Sequence, residues 1–288
     1  IIGPVFNEST KYLDELSSIT FISFTNKLID NPKNVISAGV NAISQIQTIK
    51  KFNDKNNLNK SIFLVPRSEF KKEIEIAINR TKIKHKRVFY YDREPTKLTK
   101  QIEDLTKYQI RKNNLKDEIK RLEGLSFKDK EKKIQRLKKR DTLGSIDFDS
   151  VVIADFDENL KSVATSLLYT DISSKRVSYI TLNQWFDKSL LRENTLHPIY
   201  FPSINKTNYE LFLSDYKKTY GKNADQLSFL SYDLLGLVYF LIYENDFNIS
   251  KKIFYKKNKF KGKIGIFEIN KNIITHQLNF YSIEDDQF

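Results

Sequence analysis

Residues 141–159, DTLGSIDFDSVVIADFDEN, leave this chain little choice of fold. A turn at Leu143-Gly144 precedes the apolar run 148–154, which stops abruptly at Asp155, Phe156, Asp157 and Glu158. A short β-branched run with turn residues at both ends has the composition of a strand buried on both faces, as in parallel sheets covered by helices on either side. Leu160, Val163, Ala164, Leu167 and Leu168 then recur at helical spacing. Strand, acidic turn and helix make half of a βαβ unit, and in such sheets ligands sit just beyond the carboxyl ends of the strands. Asp155 and Phe156 therefore belong at the lip of any site.

The flanking sequence repeats that alternation. Strands are expected at 1–5, 19–24, 60–66, 88–91, 177–182 and 196–201, with an extended piece at 34–41; helices are expected at 10–16, 42–52, 69–78, 208–220 and 227–243. A terminal hairpin is expected from 262–269 and 273–280 around Asn270-Lys271-Asn272. The class is α/β. Residues 96–140 break the pattern. Leu98, Leu105 and Ile119 with Tyr108, Leu115 and Leu122 predict one long helix stopped by Gly124. Ser126 and Asp129 are expected to cap a second helix, with only Phe127, Ile134 and Leu137 on its apolar stripe. From Thr96 to Asp141 there are sixteen basic and eight acidic residues, which is +8 of the chain's net +13. A stripe that thin buries little, so this charged hairpin is expected on the surface.

The charge does not point to nucleic acid. Only ten of the forty-nine basic residues are arginine, and phosphate recognition favours arginine's bidentate fork. The lysine excess reads as codon bias, and no nucleic-acid partner is expected. There is no cysteine, and His85, His197 and His276 stand among strand residues without metal-ligand spacing. No phosphate-cradling or dinucleotide glycine motif and no nucleophile elbow occurs. Asp155, Asp157 and Glu158 read as a strand-end turn with a helix-capping acid rather than a metal site. No enzyme, cofactor or metal is expected. Nor does any apolar run approach the roughly eighteen residues of a membrane span.

What remains is a set of polar groups at strand ends, suited to a small-molecule cleft. They are Asn7, Glu8 and Ser9, then Ser23 and Thr25, then Phe70, then Asp155 and Phe156, and finally Asn183 and Gln184. In order, IIGPVF, ITFISFTN, NVISAGVN, KSIFLVPRSEF, DTLGSIDFDSVVIADFDENL, YITLNQWFD, SYDLLGLVYFLI and FKGKIGIFEIN resemble the type I periplasmic-binding fold of branched-chain amino-acid receptors. More closely, they resemble the penicillin-binding protein activator lipoproteins.

The resemblance implies two Rossmann-like lobes joined by three crossovers, near Gly39, Ser203 and Phe260. One lobe would comprise 1–38 and 204–259, and lack its opening elements. The other would comprise 39–203 and 260–288, with the helical insertion 96–140. It further implies a non-enzymatic envelope regulator in the periplasm, partnered by a peptidoglycan synthase, with room for an outer-membrane lipid anchor upstream of Ile1. The alternatives are a transport receptor for a small polar ligand and, less favoured, the sensor core of a DNA-binding regulator. Phe70 stands where amino-acid receptors carry a tyrosine. The carboxylate that holds a ligand's ammonium would fall at Asn183-Gln184, which has no acid, so a free amino acid is not expected in the cleft.

Overall fold

The computed structural model describes residues 1–248, 250–263, 265–284 and 287–288. Its larger sheet is built around the strand Ser150–Ile153, whose four residues are all buried. This is β5, following β1 (Phe21–Ser23), β2 (Val35–Ser37), β3 (Ser61–Pro66) and β4 (Arg87–Tyr91). With β6 (Ser178–Thr181), β7 (Ile199–Ser203) and β11 (Asn279–Ile283) it forms a sheet in the order β11-β7-β6-β5-β3-β4. Every pairing is parallel except β11 with β7.

Alternate β5 residues feed two different cores, as the period of two requires. Val151 and Ile153 face Leu160, Val163 and Leu167 of α6 (Asp157–Tyr169) and Leu98, Ile102 and Leu105 of α3 (Pro95–Thr106). Val152 and Ala154 face Ile46 and Ile49 of α1 (Ala42–Lys55) and Ile74, Ala77 and Ile78 of α2 (Phe70–Thr81). A continuous apolar run is stable here because helices exclude water from both faces.

The smaller sheet has the order β1-β2-β10-β9-β8, with β8 at Asn258–Lys261, β9 at Ile266–Asn270 and β10 at Ile273–Gln277. Helices α7 (Lys206–Tyr220), α8 (Gln226–Tyr243) and α9 (Lys251–Tyr255) complete this half of the molecule. The expected third crossover near Phe260 is corrected here. Antiparallel β8, β9 and β10 join the first lobe through Ile273 paired with Ser37. The passage to the larger sheet comes at Leu278, between β10 and β11. The physical cause is apolar: Phe267, Ile269 and Ile274 bury against Leu234, Leu237 and Leu241 of α8. Gly262 permits the join, because a Cβ there would lie 2.3 Å from an Asp233 carboxylate oxygen. That carboxylate accepts from the Lys263 backbone N–H at 2.7 Å.

Other expectations shift as well. Residues 1–5 contribute only a bridge from Ile2 to Ile22, and the helix expected over 10–16 is two 3-10 turns, Asn7–Thr10 and Leu13–Leu16. Helix α8 is eighteen residues long and, by length and composition alone, apolar enough to cross a membrane, which the sequence reading did not anticipate. One side packs Phe229, Leu230, Leu234, Leu237 and Leu241 inward, while Leu235, Tyr239 and Tyr243 are exposed. The single long helix expected after Pro95 is two. Lys107 takes a left-handed φ of 52° between α3 and α4 (Tyr108–Glu123). Only α3 then serves as the crossover helix, and the protruding part of the insertion is α4 with α5 (Lys130–Lys138). Ser126 caps nothing, and Asp129 stands before α5 without a side-chain cap bond.

Ile153→Ala removes a fully buried side chain from the central strand and is expected to cost about 2–5 kcal/mol in unfolding free energy. Urea denaturation measures it, and a loss under about 1 kcal/mol would show that the site collapses around the deletion far more readily than a two-faced core allows.

Candidate functional site

The chain crosses between the halves at 38–41, and the crossing is tight. A Cβ on Gly39 would meet Phe24 O at 2.5 Å and Asn26 N at 2.8 Å, so no other residue fits without moving backbone. Beside it, Asn41 caps α1 through Ser44 N–H at 3.1 Å and donates to Ile274 O of β10 at 2.7 Å. Ser44 Oγ accepts from His276 N–H at 2.8 Å, and the His276 ring contacts Ala38 O at 2.9 Å. Burial pushes the His276 imidazole down to about 4, so it is neutral at physiological pH.

At the carboxyl ends of the parallel strands lies a cavity of ≈ 300 Å³, lined among others by Asn26, Gln45, Phe156, Asn183 and Trp185. Of the expected cleft residues, Phe156, Asn183 and Gln184 line it, and Phe70 reaches Phe156 with ring centroids 6.2 Å apart. Asn183 is held by its neighbours: its N–H donates to Gln45 Oε1 at 2.9 Å, and its Oδ1 accepts from Trp185 N–H and Ser203 Oγ. Its Nδ2 is buried without a partner. Such a donor carries an unmet bond.

Of the other expected residues, Ser23, Thr25 and Asp155 are turned inward on the protein. Ser23 Oγ donates to Pro4 O at 2.8 Å and accepts from Thr25 N–H. Thr25 Oγ1 lies 3.4 Å from Asn7 Oδ1 and accepts from Lys27 N–H. Glu8 and Ser9 are exposed beside this loop. Asp155 is 1% exposed and accepts from Tyr91 Oη at 2.7 Å, Arg93 Nε at 3.0 Å and Arg93 Nη2 at 2.8 Å. Burial, and then the Asp155 charge, push the Tyr91 phenol up. Asp155 is therefore an anchor beneath the site. Its partners could not be read from sequence, since Arg93 lies sixty-two residues away.

The expectation about carboxylates needs correction. The turn Asn183-Gln184 is indeed without an acid, yet Asp157 and Asp187 line the same cavity. A ligand ammonium would have a counter-ion. What the lining residues lack is a lysine or arginine for a carboxylate. Left-handed φ values at Asp157, Trp185 and Phe186, of 50°, 50° and 57°, gather at this rim. Such unfavourable backbone persists only where its surroundings enforce it.

Sequence reasoning also missed the tie across the halves. The Glu73 carboxylate of α2 is 2% exposed and accepts the Leu28 N–H of the β1–β2 loop through both oxygens, at 3.1 and 2.9 Å. Burial pushes its pKa above the ordinary value, while bonds from the Leu28 and Ile29 N–H groups work against that rise. Lys27 and Glu69 bridge the same gap at 3.7 Å. A lone acid amid the apolar stripe of α2 was the available signal.

No protein-family model matches the chain, and no curated protein does. Solved structures do match at low identity. A putative branched-chain amino acid ABC transporter protein from Rhodospirillum rubrum aligns with TM-score 0.64 and 9% identity, over 95% of this chain and 73% of that one. The Leu complex of a substrate-binding protein from Desulfitobacterium hafniense aligns with TM-score 0.58 and 12% identity, over 100% and 78%. The fold is that of the type I periplasmic binding proteins. Full-length LpoA from Haemophilus influenzae aligns with TM-score 0.56 and 12% identity over 99% of this chain. The chain spans 46% of the length of that LpoA and 45% of an extracellular ligand-binding receptor from Desulfohalobium retbaense.

Two measurements check this geometry. Arg93→Ala leaves the buried Asp155 carboxylate without its guanidinium, and an unfolding loss of about 1–3 kcal/mol is expected. For Glu73, a raised folded pKa means the native state keeps its proton to higher pH than the unfolded chain does. The stability difference between the parent and Glu73→Gln is therefore largest at low pH. It falls as pH rises from the ordinary 4.5 through the raised folded value, and is flat above it. Denaturation series at stepped pH read this, and a difference growing with pH across that window would reverse the assignment.

Proposed function

We propose that this chain is a non-enzymatic binding protein of the bacterial envelope, located in the periplasm, that acts on a peptidoglycan synthase as activator proteins do. The observation that carries the reading is the Glu73 tie. A solute receptor works by opening and closing its lobes about a hinge, and here a buried carboxylate holds the β1–β2 loop of one half to α2 of the other. The hydroxyls of Ser23 and Thr25, expected at the cleft, are bonded within the protein. Among the structural neighbours, the LpoA C-domain from Haemophilus influenzae is described as a regulator of PBP1A.

The expected outcome is co-purification of the chain with a bifunctional peptidoglycan synthase from its own source, and faster glycan polymerisation by that synthase. An unchanged polymerisation rate at saturating chain would end this reading.

A second reading, a receptor for a small polar ligand, is favoured by one observation, the unpartnered Asn183 Nδ2 beside the cavity. A solute at one hundred times its Kd would raise unfolding free energy by about 2.7 kcal/mol. A thermal-shift panel of amino acids, sugars and hydroxybenzoates decides it: a rise in Tm that disappears in Asn183→Ala favours the receptor.

A further inference from the structure

The insertion is a rigid lever with a distinct tip. Its base is locked by Arg111, which is 3% exposed and donates to Thr106 O at 2.9 Å, Thr142 Oγ1 at 2.9 Å and Thr170 O at 2.5 Å. Those carbonyls end α3 and α6, so the base sits where the parallel strands begin, at the end of the sheet opposite the cavity. From there α4 extends sixteen residues, about 24 Å at the helical rise. Leu115 and Leu122 pack on Ile134 and Leu137 of α5 as a small core of their own, apart from the cores flanking β5.

Apart from Ile110, which is exposed on α4 near the base, the exposed apolar residues of the insertion lie at the turn. Leu125 is 43% exposed and Phe127 40%, and both line one shallow concavity with Asp129, Lys130, Glu131 and Lys132. Around them stand Lys120, Arg121, Lys128 and Lys133. Four carboxylates share the region: Glu118, which pairs with Arg121, Glu123, Asp129, which pairs with Lys132, and Glu131. Among the described residues, no salt bridge engages Lys120, Lys128, Lys133 or Arg136. A surface that sets two apolar side chains among Lys120, Lys128 and Lys133, which no salt bridge engages, matches one kind of partner layered in the same way, anionic head groups over acyl chains. An acidic protein surface would answer the charge and leave Leu125 and Phe127 without a purpose.

We infer that the α4–α5 turn is a membrane-docking element, with Leu125 and Phe127 entering the interface of an anionic bilayer and the surrounding lysines neutralising its head groups. This inference stands apart from the synthase reading, and it uses neither the cavity nor the tie between the halves.

The test uses the whole chain and sedimentation with vesicles. Binding is expected to vesicles of phosphatidylglycerol mixed with phosphatidylcholine, and not to pure phosphatidylcholine. It should fade as salt shortens the screening length from about 10 Å at 0.1 M to about 3 Å at 1 M. Lys128→Glu with Lys133→Glu should lower the partition coefficient by at least about 25-fold. Leu125→Ser with Phe127→Ser, which leaves charge untouched, should lower it by about tenfold or more. Both pairs are on exposed positions, and circular dichroism confirms that the variants fold. Phe127→Trp in a Trp185→Phe background should shift its emission to the blue on phosphatidylglycerol vesicles. Equal binding to both vesicle types, no binding to either, or full binding by the serine pair would each overturn the proposal. The last of these would leave only charge-driven adsorption.

Discussion

The burial of β5 on both faces is the constraint on which the rest of the larger half depends. Once Ser150–Ile153 is the middle of a parallel sheet, Val151 and Ile153 require helices on one side, and Val152 requires them on the other. Residues α1, α2, α3 and α6 supply that cover from crossovers before and after the strand. The same placement ends the strand in Asp155, a carboxylate in a dry position, which Arg93 and Tyr91 must then satisfy. Chain reversal, helix placement and the polar anchor under the cavity all follow from the burial of this one short strand.

The two halves meet through an apolar cluster that joins Trp185 and Phe186 to Tyr209, Phe212 and Phe229, and through polar contacts at places that tolerate no bulk. Gly39 allows backbone to cross backbone. Asn41, Ser44 and His276 exchange hydrogen bonds across the crossing, and Glu73 reaches the opposite loop. Buried polar contacts of this kind have directional geometry, so they specify one arrangement of the halves where apolar packing would allow several.

The insertion follows a different logic. Its helices are amphipathic enough to pair with each other, and Arg111 joins them to the body at one end only. Charge that would be wasted in a core is carried outward on a stiff arm, where long-range attraction acts on encounter rates and on membrane approach alike.

The sequence by itself determined the α/β class, the central strand, the alternation from residue 35 to residue 91 and the surface position of the α4–α5 part of the basic insertion. Each rests on local periodicity, and periodicity reports which face of an element avoids water. It also brought Phe156, Asn183 and Gln184 to one rim, because strand ends in a parallel sheet share an edge. Tertiary structure alone decided which strands joined which sheet. Strands β8–β10 went to the first half because α8 offered Leu234, Leu237 and Leu241 to cover them, a contact that no local pattern encodes. The break at Lys107 was equally hidden: the heptad pattern runs through it, while Arg111 turning to the distant end of α6 at Thr170 does not appear in any window of sequence. The pairings of Glu73 with Leu28 and of Asp155 with Arg93 were invisible for the same reason. A buried charge chooses its partner by distance in space, and only the folded chain sets that distance.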